Sequence, residues 1–245
     1  MSSRSASWWS YPVTDPVPPV SRETSGTPDA PPAPASARGV FGSAGLPLAQ
    51  RYAELLTSEA VLRGLMGPRE VPRLWERHLV NCAVLADVVP QGATVCDLGT
   101  GAGLPGVVLA IVRPDLRVTL VEPLLRRTTF LDEVVAELGL ERCEVRRARA
   151  EQLHGTERFD VVTSRAVAPL PRLLAWSMPL VAPAGALVAM KGSRAVEEVT
   201  ESRDDLRRFG CAEPEVLWLG AGEPARLDPP TTVVRVVWDR SGVRG

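Results

Sequence analysis

The feature that most restricts this chain is one turn, Val95-Cys96-Asp97-Leu98-Gly99-Thr100-Gly101-Ala102-Gly103-Leu104-Pro105-Gly106. An apolar run leads into spaced glycines and out into a helical pattern that opens with Pro105, where a missing N–H costs nothing. Glycine lets the backbone bend sharply and approach a ligand with no Cβ in between. Strand, glycine turn and helix in this order form the opening unit of a doubly wound sheet, whose ligands lie beyond the carboxyl ends of the strands. The rest of the chain agrees. Strand patterns at 94–98, 117–121, 144–147, 159–163 and 186–190 alternate with helical patterns at 105–112, 125–138 and 170–180. Such alternation predicts a parallel sheet covered on both faces. A polar helix near 196–209 and two more strands at 215–219 and 233–238 follow, the last pair reading as a hairpin at the sheet edge. The expected fold is α/β, with a doubly wound, mostly parallel sheet of seven strands.

Upstream of the turn, apolar residues at helical spacing (Leu48, Tyr52, Leu55, Leu56, Leu62) predict an amphipathic helix over 46–65. A second stripe after Pro72 runs through Leu74, Trp75, Leu79, Ala83 and Leu85. Residues 1–40 are rich in Pro, Ser, Thr and Ala and bury too little apolar surface to offset the entropy of ordering, so a mobile tail is expected, Trp8–Trp9 included. The organisation expected is a tail over 1–40, a helical cap over 41–90 and the α/β domain over 91–240.

Composition narrows the partners. A formal net charge of −1 gives no global field favouring nucleic acid, so any RNA contact must come from basic residues gathered on one face. Of 28 lysines and arginines only Lys191 is lysine. The cysteines Cys82, Cys96, Cys143 and Cys211 are scattered and only His78 and His154 accompany them, so neither a disulfide framework nor a metal site is indicated. No apolar run reaches the roughly 18 residues a membrane span needs, and the first ten residues lack the apolar core of a secretory signal. A cytoplasmic protein is expected.

The glycine turn fits two ligands. Gly101-x-Gly103-x-x-Gly106 matches the dinucleotide fingerprint. Asp97-x-Gly99-x-Gly101-x-Gly103 matches the acidic, three-glycine loop of S-adenosylmethionine enzymes. Glu122 closes the next strand, where its carboxylate could accept from the ribose hydroxyls of either cofactor. Asp97 favours adenosylmethionine, because a carboxylate beside the loop suits a cationic amino-acid end and sits awkwardly near a pyrophosphate.

The run from Asp97 to Gly106, with Arg113-Pro114, Ser164-Arg165-Ala166 and Met190-Lys191-Gly192 downstream, resembles the bacterial RsmG (GidB) family of 16S ribosomal RNA guanine-N7 methyltransferases. The resemblance spans about residues 46–238. It implies the Rossmann-like fold of class I S-adenosylmethionine-dependent methyltransferases and a substrate guanine in the 530 loop of 16S rRNA, on naked RNA or an assembling small ribosomal subunit. It also implies cofactor contacts at Gly99, Leu104, Ala150, Glu151 and Arg165, beside those of Asp97, Gly101, Gly103 and Glu122. One departure is that His78-Leu79-Val80-Asn81 stands where the family commonly has His-x-x-Asp.

N7 of guanine has a free lone pair, so its methylation requires no general base. Arg165 and Lys191 are therefore expected to position substrate, Lys191 by holding RNA. Arg126, Arg127, Arg142, Arg146, Arg147, Arg149, Arg172 and Arg194 are the candidates for phosphate contact. A monomer is expected, since the cleft needs no second subunit. Alternatives are a methyltransferase with another acceptor, a nicotinamide-dependent oxidoreductase, and a methyltransferase-fold protein that binds or assembles RNA without catalysis.

Overall fold

The computed structural model describes residues 29–221 and 226–239; Trp8–Trp9 lie outside them. Seven strands form one sheet: β1 (Thr94–Leu98), β2 (Arg117–Val121), β3 (Cys143–Arg146), β4 (Phe159–Arg165), β5 (Val181–Lys191), β6 (Glu215–Leu219) and β7 (Thr231–Val237). Their order is β3-β2-β1-β4-β5-β7-β6. The pairs among β1 to β5 are parallel, whereas β7 runs antiparallel to both β5 and β6. The seven strands and the antiparallel late pair are as the sequence predicts.

The alternation of side chains explains why these strands read as continuous apolar runs. Val95 of β1, and Ala186, Val188 and Met190 of β5, face one core, while Cys96, Leu187 and Ala189 face another. A sheet buried on both faces needs apolar residues at every position. The first face is covered by α1 (Ala35–Leu55), the turns after it, α3 (Gly106–Val112) and α4 (Leu125–Glu137). The second is covered by α5 (Ala150–Leu153), α6 (Leu170–Ser177), α7 (Ala195–Glu201) and α8 (Arg203–Arg208). In α4 the buried residues Thr128, Phe130, Leu131 and Val134 form one stripe, and that stripe is what docks the helix.

Two expectations change. The chain is ordered well before residue 41: Ala37 and Phe41 are buried, Trp75 Nε1 donates to Pro31 O at 2.7 Å, and the Phe41 and Trp75 rings meet edge to face at 6.1 Å. Tertiary burial overrides the loose composition of residues 29–40. The single helix expected after Pro72 is instead a 3₁₀ turn over Pro68–Arg73, a wide π turn over Leu74–Val80, then α2 (Asn81–Ala83) and another 3₁₀ turn over Val84–Val88. Wide turns of this kind are frequent beside functional sites, and this one carries His78.

Candidate functional site

The glycine loop is held from beneath. Asp97 is fully buried, and its Oδ2 accepts from Thr100 Oγ1 at 2.5 Å and from Gly106 N at 2.7 Å. Strand alternation turns Asp97 to the same side as Val95, towards α3. It lines neither cavity described below, so its place in the structure is beneath the loop, whose backbone it organises. At Gly103 a Cβ would stand 2.6 Å from Val107 Cγ2 and 2.7 Å from the Tyr52 hydroxyl, so its bareness serves helix packing.

Burial pushes the Asp97 carboxyl up from 3.8 to about 6, against the lowering by Thr100 and Gly106. A carboxyl with a raised folded pKa lends stability that is complete below its unfolded value and is lost as pH rises through the folded one. Asp97→Asn removes this dependence. The unfolding free energy of the variant relative to its parent should therefore move by roughly 2 kcal/mol in the variant's favour between pH 4 and pH 7. Urea titrations at the two pH values check this, and a constant difference would rule it out. At neutral pH Asp97 is thus mostly ionised, and among the described residues its Oδ1 has no hydrogen-bond partner.

Two cavities open at the carboxyl ends of the strands and meet at Gly99 and the Arg165–Val167 segment. The smaller, about 650 Å³, is walled by Leu98, Glu122, Leu124, Ala150, Glu151 and Trp176. Glu122 is buried, its Oε1 accepting from Leu124 N at 3.1 Å and its Oε2 from Gly101 N and Arg127 Nη1, each at 3.2 Å. Two carboxylates, Glu122 and Glu151, beside apolar walls fit a nucleoside, with sugar hydroxyls at Glu122 and a flat ring between Leu98, Ala150 and Trp176. Gly99, at φ +71, leaves the junction open: a Cβ there would lie 2.9 Å from Val167 Cγ2. The buried anion under the loop completes an environment suited to a cationic amino-acid end. These residues fit adenosylmethionine.

The larger cavity, about 1090 Å³, includes Leu104, Glu70, His78, Asn81, Lys191 and the 229–232 segment in its lining. Arg165 borders both cavities, and its Nη1 lies 2.9 Å from His78 Nδ1. A nitrogen facing a guanidinium N–H must accept, so the ring hydrogen resides on Nε2, which donates to Glu70 Oε2 at 2.8 Å. Burial and the neighbouring Arg165 hold the His78 pKa below its ordinary value, so the ring is neutral. Ala166, the next residue, has a left-handed backbone at φ +56, a conformation that costs on the order of 1 kcal/mol.

Lys191, expected to hold RNA, borders the larger cavity with its ammonium engaged by the protein itself. Its side chain is 8% exposed, and Nζ donates to Glu198 Oε2 at 2.7 Å and to Ala168 O at 2.9 Å. Glu198 in turn accepts from Leu170 N, so the pair ties down the strained segment that follows Arg165. Several arginine candidates are likewise engaged. Arg127 pairs with Glu122, Arg142 donates to Asp115 O, Arg146 pairs with Glu144, and Arg194 with Glu197 and Glu201. Arg172 lies over the Trp176 ring. Arg126, Arg147 and Arg149 are exposed. The sequence reading missed Glu70, Val167, Trp176 and the 229–232 segment, which reach the site only through tertiary packing.

Among the described residues no group of three or more His, Cys, Asp or Glu side chains could hold a metal ion, and no helix is long and apolar enough to cross a membrane.

Comparison with known proteins places this geometry. A ribosomal RNA small subunit methyltransferase G of a Nocardioides species is 66% identical over 223 residues, covering 91% of this chain and 86% of its own. The protein of the same name from Thermobifida fusca is 58% identical over 201 residues, covering 82% and 83%. The crystal structure of an S-adenosylmethionine-dependent O-methyltransferase from Thermotoga maritima shares the fold at a TM-score of 0.51 and 16% identity, over 69% of each chain. The family pattern of GidB, rRNA small subunit methyltransferase G, matches residues 46–222. The dinucleotide spacing from Gly101 to Gly106 is therefore incidental, since Gly103 and Gly106 are bare for packing and for the Asp97 bond. With its glycine loop, buried carboxylates and paired cavities, the chain belongs to the GidB family of adenosylmethionine-dependent small-subunit rRNA methyltransferases.

Proposed function

We propose that the protein methylates N7 of one guanine in the 530 loop of 16S rRNA, working as a cytoplasmic monomer. The observation that carries this reading is the junction of the two cavities at Gly99 and Arg165. Glu122 and the walls of the smaller cavity would hold the methyl donor beside that junction, and the larger cavity would hold the acceptor. The bound cofactor supplies an electrophilic methyl on a sulfonium. Transfer to N7 would exchange the S–C bond for an N7–C bond and carry the positive charge to the base, so the residues of this chain need hold or move no proton. The titratable groups described around the larger cavity suit such a nucleophile. His78 is tied between Glu70 and Arg165, and Lys191 to Glu198, leaving alignment as the protein's main contribution. An unpaired loop whose base can leave its stack suits a cavity of this size.

The test is incubation with labelled adenosylmethionine and small-subunit RNA or particles from cells lacking the activity. Label in a single guanine is expected. Label on protein or a small metabolite, and none on RNA, would overturn the reading. Gly99→Asp should lower the rate by at least about 100-fold, because its side chain occupies the junction through which donor and acceptor must align. A variant within a few-fold of the parent would separate the junction from the reaction.

A further inference from the structure

We propose that Glu70 is a positioning residue for methyl transfer, acting through the His78 ring to aim the Arg165 guanidinium at the junction of the two cavities. The proposal rests on the reading of that junction as the place of transfer. Its three members come from separate parts of the fold: Glu70 from the 3₁₀ turn, His78 from the π turn, and Arg165 from the end of β4. The contacts are continuous, 2.8 Å from Glu70 Oε2 to His78 Nε2 and 2.9 Å from His78 Nδ1 to Arg165 Nη1.

Each link constrains the next. An arginine side chain carries about 2 kcal/mol of rotamer entropy, so its head group wanders unless something accepts from it. His78 is that acceptor, and it accepts only while Nδ1 is bare. A neutral imidazole could equally carry its hydrogen on Nδ1, which would turn a donor against the guanidinium. Glu70 excludes that alternative, because its carboxylate at Nε2 is satisfied only by an N–H. Placing a ring between carboxylate and guanidinium also has an electrostatic consequence. Direct contact would cancel much of the Arg165 charge at the junction, whereas a neutral ring fixes the group and leaves the charge available to a phosphate or to O6 of the acceptor base. The ring is 10% exposed and the Glu70 carboxylate 33%, so water competes little at the inner link and more at the outer one. Arg77 stands beside both ends, its Nε 3.5 Å from Glu70 Oε2 and its carbonyl 3.5 Å from Arg165 Nη1.

The experiment uses the full chain, its Glu70→Ala and Glu70→Gln variants, and three readouts. In the parent, nitrogen NMR at pH 8 should show His78 as the Nε2–H tautomer; with only two histidines in the chain the signals are readily assigned. Glu70→Ala should lower kcat by about 10- to 100-fold, the cost of a misplaced group near the reacting atoms. It should leave the adenosylmethionine Kd within about threefold, because the Glu122 cavity is untouched. Glu70→Gln keeps an acceptor oxygen for Nε2–H and should retain kcat within about threefold. A merely structural Glu70 would change Tm and leave the tautomer and the kcat-to-Kd split alone. The proposal is overturned by an Nδ1–H or charged ring in the parent, by parental kcat in Glu70→Ala, or by Glu70→Gln losing as much as Glu70→Ala. A parent that fails to methylate small-subunit RNA while its ring shows the stated tautomer defeats the functional reading and not this geometry.

Discussion

Replacing Gly106 with alanine should destabilise the protein more than any other single methyl added to the glycine loop. The new Cβ would stand 2.3 Å from Leu120 Cδ2, 2.7 Å from Asp97 Oδ2 and 2.8 Å from Asp97 Cβ, all well inside van der Waals contact. Overpacking a core costs about 1–3 kcal/mol. Here a second cost adds to it, because separating Gly106 from Asp97 breaks one of the two hydrogen bonds held by a buried carboxylate, and a hydrogen bond to a charged group contributes about 1.5–3 kcal/mol. A loss of about 4 kcal/mol is expected, which for a chain of this size lowers Tm by about 8–16 °C. Thermal unfolding followed by circular dichroism measures it, and a Tm within about 3 °C of the parent would refute the account. The two costs share Asp97, so combining Gly106→Ala with Asp97→Ala should be less damaging than the sum of the single changes.

The second large effect is on cofactor affinity. Glu122→Gln exchanges one carboxylate oxygen for an NH₂ group in a place where Gly101 N, Leu124 N and Arg127 Nη1 all point N–H groups at it. One of those donors then faces another donor, and the remaining oxygen has less to offer the ribose. Hydrogen bonds to charged groups contribute about 1.5–3 kcal/mol each, so the adenosylmethionine Kd should rise on the order of 100-fold. Calorimetry checks this. A Kd within about threefold of the parent would mean that the sugar does not lean on Glu122.

The β1–loop–α3 unit was legible because its chemistry is local: an apolar strand, glycines with no Cβ and a helix start follow one another directly. The strands that follow were legible because burial on both faces leaves unbroken apolar runs. β5 was placed five residues too late. Its opening, Val181-Ala182-Pro183-Ala184-Gly185, reads as a turn, yet the strand carries it, with a register shift opposite Phe159–Val161. Asp97 and Lys191 show a different limit. Their charges were recognised, but charge does not reveal direction, and both turn inward to hold backbone in place. The Glu70–His78–Arg165 chain was invisible for a third reason. Its last link joins residues 87 positions apart, and nothing in local spacing reports such a meeting.

The position of β7 has a consequence for how the molecule is made. It lies inside the sheet, between β5 and β6, and the 229–232 segment leading into it forms one wall of the larger cavity. A ribosome delivers β7 after the other six strands, when the smaller cavity's residues have already been made. A growing chain could therefore acquire its nucleoside pocket early, yet leave the flank of β5 bare and the other chamber unwalled until β7 has been made.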